Sequence, residues 1–150
     1  MQIFSSRVVP EWVDYNGHMN DAEYARVFSL AVDELMVHIG LDAAGRLRHG
    51  YTLYTLETHL SYRKEAHEGQ PLSVNVLLLN RDAKRLHVYF EMHSHEGNLL
   101  AASEQMLMGM DSLSSRPAPF PGSVEEALGR LPRCAPDAWP SLAGRKIGLG

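Results

Sequence analysis

The sequence predicts an α+β domain in which an antiparallel sheet of about five strands wraps one long central helix. Three observations predict it. One apolar stripe of helical period runs through residues 21–39 and covers much of the helix circumference. Four runs of period two follow, separated by turn residues. The chain has 150 residues, enough for one domain with one core. A helix placed before a meander buries such a stripe only if the sheet folds over it.

Residues 3–9 read as a first strand, closed by Pro10. Residues 11–20 form an irregular loop rich in Asp, Asn and Gly. The helix then runs from about 21 to 39, with Asn20 or Asp21 as its N-cap and Glu23 in loose capping-box spacing. Tyr24, Phe28, Ala31, Leu35 and Ile39 make the stripe, widened by Val27 and Leu30, and Gly40 suits the left-handed C-terminal position. Residues 41–50 read as a loop or short turn. Strands are expected at about 51–62, 72–79, 85–95 and 98–110. His95-Glu96-Gly97-Asn98 makes a tight hairpin between the last two, and Met106, Met108 and Met110 alternate as packing residues. From Asp111 the pattern decays among prolines, and only 124–131 looks helical. Residues 1–111 are therefore expected as the domain. Residues 112–150 are expected as a Pro-rich tail packing on it, with Trp139 as an anchor.

Bulk composition narrows the function. Net charge is −4 with no clustered basic face, which argues against nucleic acid as a partner. The single cysteine, Cys134, rules out a disulfide within the chain and fits a reducing compartment. No basic segment followed by an apolar stretch opens the chain, and no run approaches the ~20 apolar residues of a membrane span. A cytoplasmic location without a membrane partner is expected. One sheet around one helix leaves an open edge, so a homodimer or a dimer of dimers is expected too.

The loop before the helix places Asp14, Asn16, His18 and Asn20 at every second residue. A carboxylate can attack a thioester carbonyl or deprotonate a water, and amides at a helix start can hold the developing oxyanion. A thiolate leaves with little protonation, because thiols are far more acidic than alcohols. One carboxylate beside a helix start is thus enough for thioester hydrolysis, and no Gly-x-Ser-x-Gly elbow occurs. The same residue types also serve simply to shape a turn and cap a helix.

Asp14-Tyr15-Asn16-Gly17-His18-Met19-Asn20, followed by Tyr24, resembles the Asp-x-Asn-x-His-x-Asn-x-x-x-Tyr segment of hotdog-fold acyl-CoA thioesterases, the 4-hydroxybenzoyl-CoA thioesterase group among them. That resemblance implies a hotdog fold with no cofactor and no metal. It implies Asp14 as nucleophile or general base, supported by Asn16 and His18, with backbone N–H groups of Gly17, His18 and Met19 polarising the carbonyl. A narrower resemblance, to the thioesterases of carnitine degradation, rests on residues 11–19, Tyr54-Thr55-Leu56-Glu57-Thr58-His59-Leu60, Lys84-Arg85-Leu86-His87, Ala102-Ser103-Glu104-Gln105-Met106-Leu107 and 143–148. It implies hydrolysis of betainyl-CoA to glycine betaine and CoA. Aromatic faces aided by a carboxylate hold quaternary ammonium groups. Trp12, Asn20, Tyr24, Tyr54 and Glu57 are the expected substrate contacts, with Tyr15, Tyr51 and Tyr62 also available. Arg63, Lys64, Lys84 and Arg85 are candidates for the CoA phosphates.

Alternatives are a thioesterase for another short acyl-CoA or aroyl-CoA, and a non-catalytic acyl-CoA-binding hotdog module. A hydratase would draw on Asp33, Glu34 and His38, which form no matching local motif. Glu57 and His59 share a strand face and make a second candidate pair. His93 and His95 lack further residues at ligand spacing, so a solvated face is the expectation for them.

Overall fold

Asn20 opens the long helix, α1 (Asp21–His38), its side chain accepting the Ala22 N–H at 3.0 Å. Tyr24, Val27, Phe28, Ala31, Val32, Leu35 and Met36 are buried along it, the i, i+3, i+4 spacing expected of the stripe. Asp21 and Glu23 in the first turn and His38 in the last complement the helix dipole. This computed structural model describes residues 1–149 and has the expected architecture.

The strands are β1 (Gln2–Arg7), β2 (Tyr51–Tyr62), β3 (Pro71–Arg81), β4 (Arg85–Ser94), β5 (Leu99–Asp111) and the short β6 (Arg116–Pro117). They form one antiparallel sheet in the order β1-β3-β4-β5-β2, with β6 on β5. Period-two alternation gives the sheet two distinct faces. Leu72, Val74, Val76 and Leu78 of β3 join Leu86, Val88, Phe90 and Met92 of β4 in the core under α1. Phe28 meets Phe90 there at a centroid distance of 6.3 Å. The other face carries His87, Tyr89 and Glu91, which lie opposite Met106, Glu104 and Ala102 of β5.

Residues 41–50, expected as a loop or short turn, contain α2 (Ala43–His49). Asp42 accepts the Gly45 N–H at 2.8 Å, and Gly50 closes the helix with φ 57°. Gly45 is its only buried residue, so no apolar stripe announced it. Residues 112–149 are more tightly integrated than their prolines foretell. Phe120, Val124, Ala127, Leu128 and Leu131, around α3 (Gly122–Leu128), enter the core. Trp139, Leu142 and Ala143 pack on the outer sheet face against Leu79, Tyr89 and Ala102.

Gly109 lies where β5 passes the Tyr51 ring. Tyr51 is 3% exposed and donates its hydroxyl to the Ala118 carbonyl at 2.7 Å. A Cβ at Gly109 would overlap that hydroxyl and stand 2.6 Å from Cζ. Gly109→Ala should therefore destabilise the fold by about 1–3 kcal/mol, the range for overpacked cores. Denaturant titration reads it as a lower midpoint at unchanged slope.

β2 pairs only with β5 among the described strands, so one side of its 12 residues is an open edge. The register shifts between Thr55 and Glu57, a bulge at Leu56. Tyr54, Leu56 and Tyr62 are about half exposed, at 49%, 50% and 50%.

Candidate active site

Asp14 and His18 close a three-residue hairpin. The Asp14 N–H donates to the His18 carbonyl at 3.0 Å, and the Gly17 N–H donates to the Asp14 carbonyl at 3.0 Å. Gly17 takes φ 77°, the left-handed residue that completes such a turn. The Asp14 carboxylate folds back on this turn, its Oδ1 accepting the Asn16 N–H at 2.8 Å. Val13 pairs with Met19 across the hairpin, and the Asn20 N–H donates to the Trp12 carbonyl at 2.9 Å. A half-buried carboxylate is thus held on a braced loop that runs straight into α1.

The segment after β2 walls this loop. The Met19 N–H donates to the Ala66 carbonyl at 2.8 Å, and the Ala66 N–H donates to the Tyr24 hydroxyl at 3.0 Å. The Tyr24 hydroxyl in turn donates to the Lys64 carbonyl at 3.4 Å. Tyr62 donates its hydroxyl to the Asp21 carbonyl at 3.0 Å and meets the Tyr24 ring edge-on at 5.2 Å. Burial, and after it the Asp21 charge, pushes the Tyr62 phenol above its ordinary value. Burial does the same to Tyr24, partly countered by the Ala66 hydrogen bond. Both rings are therefore neutral near neutral pH. His18 packs edge-on against His67 at 4.8 Å, and its Nδ1 lies 3.3 Å from Glu65 Oε2. The Glu65 side chain is 68% exposed, so this pair adds little stability.

The backbone donors sort unevenly. Of the three amides expected to polarise a carbonyl, those of Gly17 and Met19 are committed to Asp14 and Ala66. The His18 N–H donates to no acceptor among the described residues. Neither does the N–H of Asp21, the first helical residue, whose amide is one of the orphans at any helix start. Asp21 was not foreseen in this role, although its place one residue after the N-cap was the signal. An oxyanion at this helix start would meet free donors and the positive end of the dipole.

The structure brings together Trp12, Asp14, Asn16, Gly17, His18, Met19 and Asn20. Tyr24 adjoins them but is 4% exposed with its hydroxyl engaged, so it braces the wall and offers no surface to a ligand. Tyr54 and Glu57 are not brought there within the chain. Tyr54 lies opposite Met108 and Glu57 opposite Met106, on the face turned away from α1. Strict alternation would set these two residues on opposite faces, and the bulge at Leu56 puts both outside. Glu57 and His59 instead border an outer cleft of about 210 Å³ with His87, Glu104, Met106 and Arg145. Glu104 is fully occupied in that cleft, by His87 Nε2 at 2.6 Å and the Gly144 N–H at 2.7 Å.

The thioesterase-like superfamily model matches residues 8–128. A Pseudomonas aeruginosa protein named betainyl-CoA thioesterase is 46% identical, over 97% of this chain and 93% of its own length. An L-carnitine dehydrogenase/betainyl-CoA thioesterase of Agrobacterium fabrum is 35% identical over 98% of this chain, which spans 30% of that longer protein. Among solved structures, a Staphylococcus aureus protein in complex with CoA superposes with a TM-score of 0.90. It is 31% identical and covers 100% of this chain and 96% of its own.

Proposed function

The chain belongs to the thioesterase-like superfamily and is a thioester hydrolase; from that premise we propose that it hydrolyses betainyl-CoA to glycine betaine and CoA, with Asp14 as the driving carboxylate. What supports this reading is the Asp14 carboxylate, braced by the Asn16 N–H, on the same short loop as the uncommitted amide of His18 and leading into that of Asp21 at the start of α1. The acyl group is taken from the names of the P. aeruginosa and A. fabrum relatives.

In the proposed chemistry the thioester carbonyl oxygen faces the N–H groups of His18 and Asp21. Asp14 either attacks the carbonyl carbon or takes a proton from a water that does. Both routes pass through a tetrahedral oxyanion, and both expel CoA as a thiolate that needs no general acid. Direct attack leaves a mixed anhydride, which water then cleaves to return the Asp14 carboxylate. Asn16 and the His18 side chain border the reacting centre in supporting roles, with Trp12 and Asn20 along the substrate path. The open edge of β2, with its half-exposed Tyr54 and Leu56, pairs with a second copy, giving a homodimer that can pair again. A cytoplasmic location accords with the lone cysteine, which suits a reducing compartment.

A substrate panel tests the acyl assignment. Free thiol release is followed for betainyl-, acetyl-, butyryl- and benzoyl-CoA. Betainyl-CoA should give the highest kcat/KM, by at least tenfold. Equal or better turnover of an uncharged ester would transfer the assignment to that short acyl or aroyl group. Binding of every ester with no thiol released would make the chain a binding module.

A further inference from the structure

Tyr62 is a half-exposed aromatic ring fixed at the start of α1. Its hydroxyl is tied to the Asp21 carbonyl at 3.0 Å, and Tyr24 supports it edge-on at 5.2 Å with an interplanar angle of 83°. Two contacts from the same helix turn therefore hold a residue that is still 50% exposed. The residue whose carbonyl anchors it, Asp21, also owns the free N–H that the proposed chemistry assigns to the oxyanion. An N–H and the carbonyl of one residue are within roughly 4 Å of each other. A betainyl group carries its ammonium nitrogen two bonds from the carbonyl carbon, so a carbonyl oxygen seated on that N–H keeps the ammonium near the turn of α1 that holds Tyr62, and an aromatic face attracts a cation over roughly 6 Å. The Asp21 carboxylate, exposed beside the ring, adds a negative charge to the same place.

We propose that Tyr62 is a specificity-determining residue whose ring face, with the Asp21 carboxylate beside it, holds the quaternary ammonium of the acyl group. This rests on the betainyl-CoA reading above. Tyr62 holds the cation and takes no part in bond making, so its removal should affect charged and neutral acyl groups differently. The neutral shape-mate of the betainyl group is 3,3-dimethylbutanoyl, in which carbon replaces the nitrogen.

The test is the ratio of kcat/KM for betainyl-CoA over 3,3-dimethylbutanoyl-CoA. Wild type should favour the cation. Tyr62→Leu should lower that ratio at least tenfold, mainly through KM for betainyl-CoA, whereas Tyr62→Phe should stay within about threefold of wild type. Phenylalanines of increasing fluorination at position 62 keep the shape and drain the ring face, so the ratio should fall stepwise along that series even if Tyr62→Leu folds poorly. A wild-type preference left unchanged by Tyr62→Leu or by fluorination would overturn the role of Tyr62 alone. A wild-type ratio at or below one would overturn the betainyl reading together with it.

Discussion

Asp14→Asn is expected to fold, melt within about 2 °C of wild type and lose at least ~10³-fold in kcat. The structural half of that expectation comes from the hairpin. Asp14 Oδ1 accepts the Asn16 N–H at 2.8 Å, and an asparagine side chain offers the same acceptor in the same place. The backbone bonds of Asp14 to His18 and Gly17 do not involve its side chain. Only the negative charge is removed, and with it the ability to attack carbon or to receive a proton. General-base catalysis is worth about 10²–10⁴-fold, and the alternative route, direct attack, is lost with the same charge. Steady-state thiol release together with a thermal melt reads both halves. Near-wild-type turnover by a folded variant would remove Asp14 from the mechanism.

Phe28→Ala should produce the largest loss of stability. Phe28 is 1% exposed at mid-α1 and meets Phe90 in the core at 6.3 Å. Truncating a buried phenylalanine to alanine costs about 3–5 kcal/mol, from lost transfer free energy and the cavity left behind. In a domain of this size that lowers Tm by on the order of 10 °C. Chemical denaturation by urea gives the free energy directly. A loss under 1 kcal/mol would mean that the helix is not clamped beneath the sheet at this point.

The long helix and the four main strands were legible because each carries a periodic pattern bounded by turn or capping residues. β2 begins and ends where its alternation and flanking turns place it, at Tyr51 and Tyr62. α2 was not legible, because it is fixed by its Asp42 cap and buries only Gly45. The contribution of Phe120, Val124 and Leu128 to the core was hidden by the prolines around them, which mark turns but say nothing of what lies beneath.

The candidate site was legible as a loop and not as a surface. Asp14 to Asn20 lie within seven residues, so local turn chemistry brings them together. Within one chain Tyr54 and Glu57 share the outer face of β2 because of the extra residue at Leu56, which sequence alternation cannot register. The free Asp21 amide and the Tyr62–Asp21 contact depend on packing between segments 41 residues apart. A sequence pattern does not encode that contact.

The most direct measurement is a crystal structure with a betainyl-CoA analogue in which a methylene replaces the thioester sulfur. The ketone oxygen is predicted within hydrogen-bonding distance of the His18 or Asp21 N–H, with the Asp14 carboxylate, directly or through one water, facing the ketone carbon. An acyl group seated instead in the outer cleft beside Glu57, His87 and Glu104, with Asp14 left in open solvent, would contradict it.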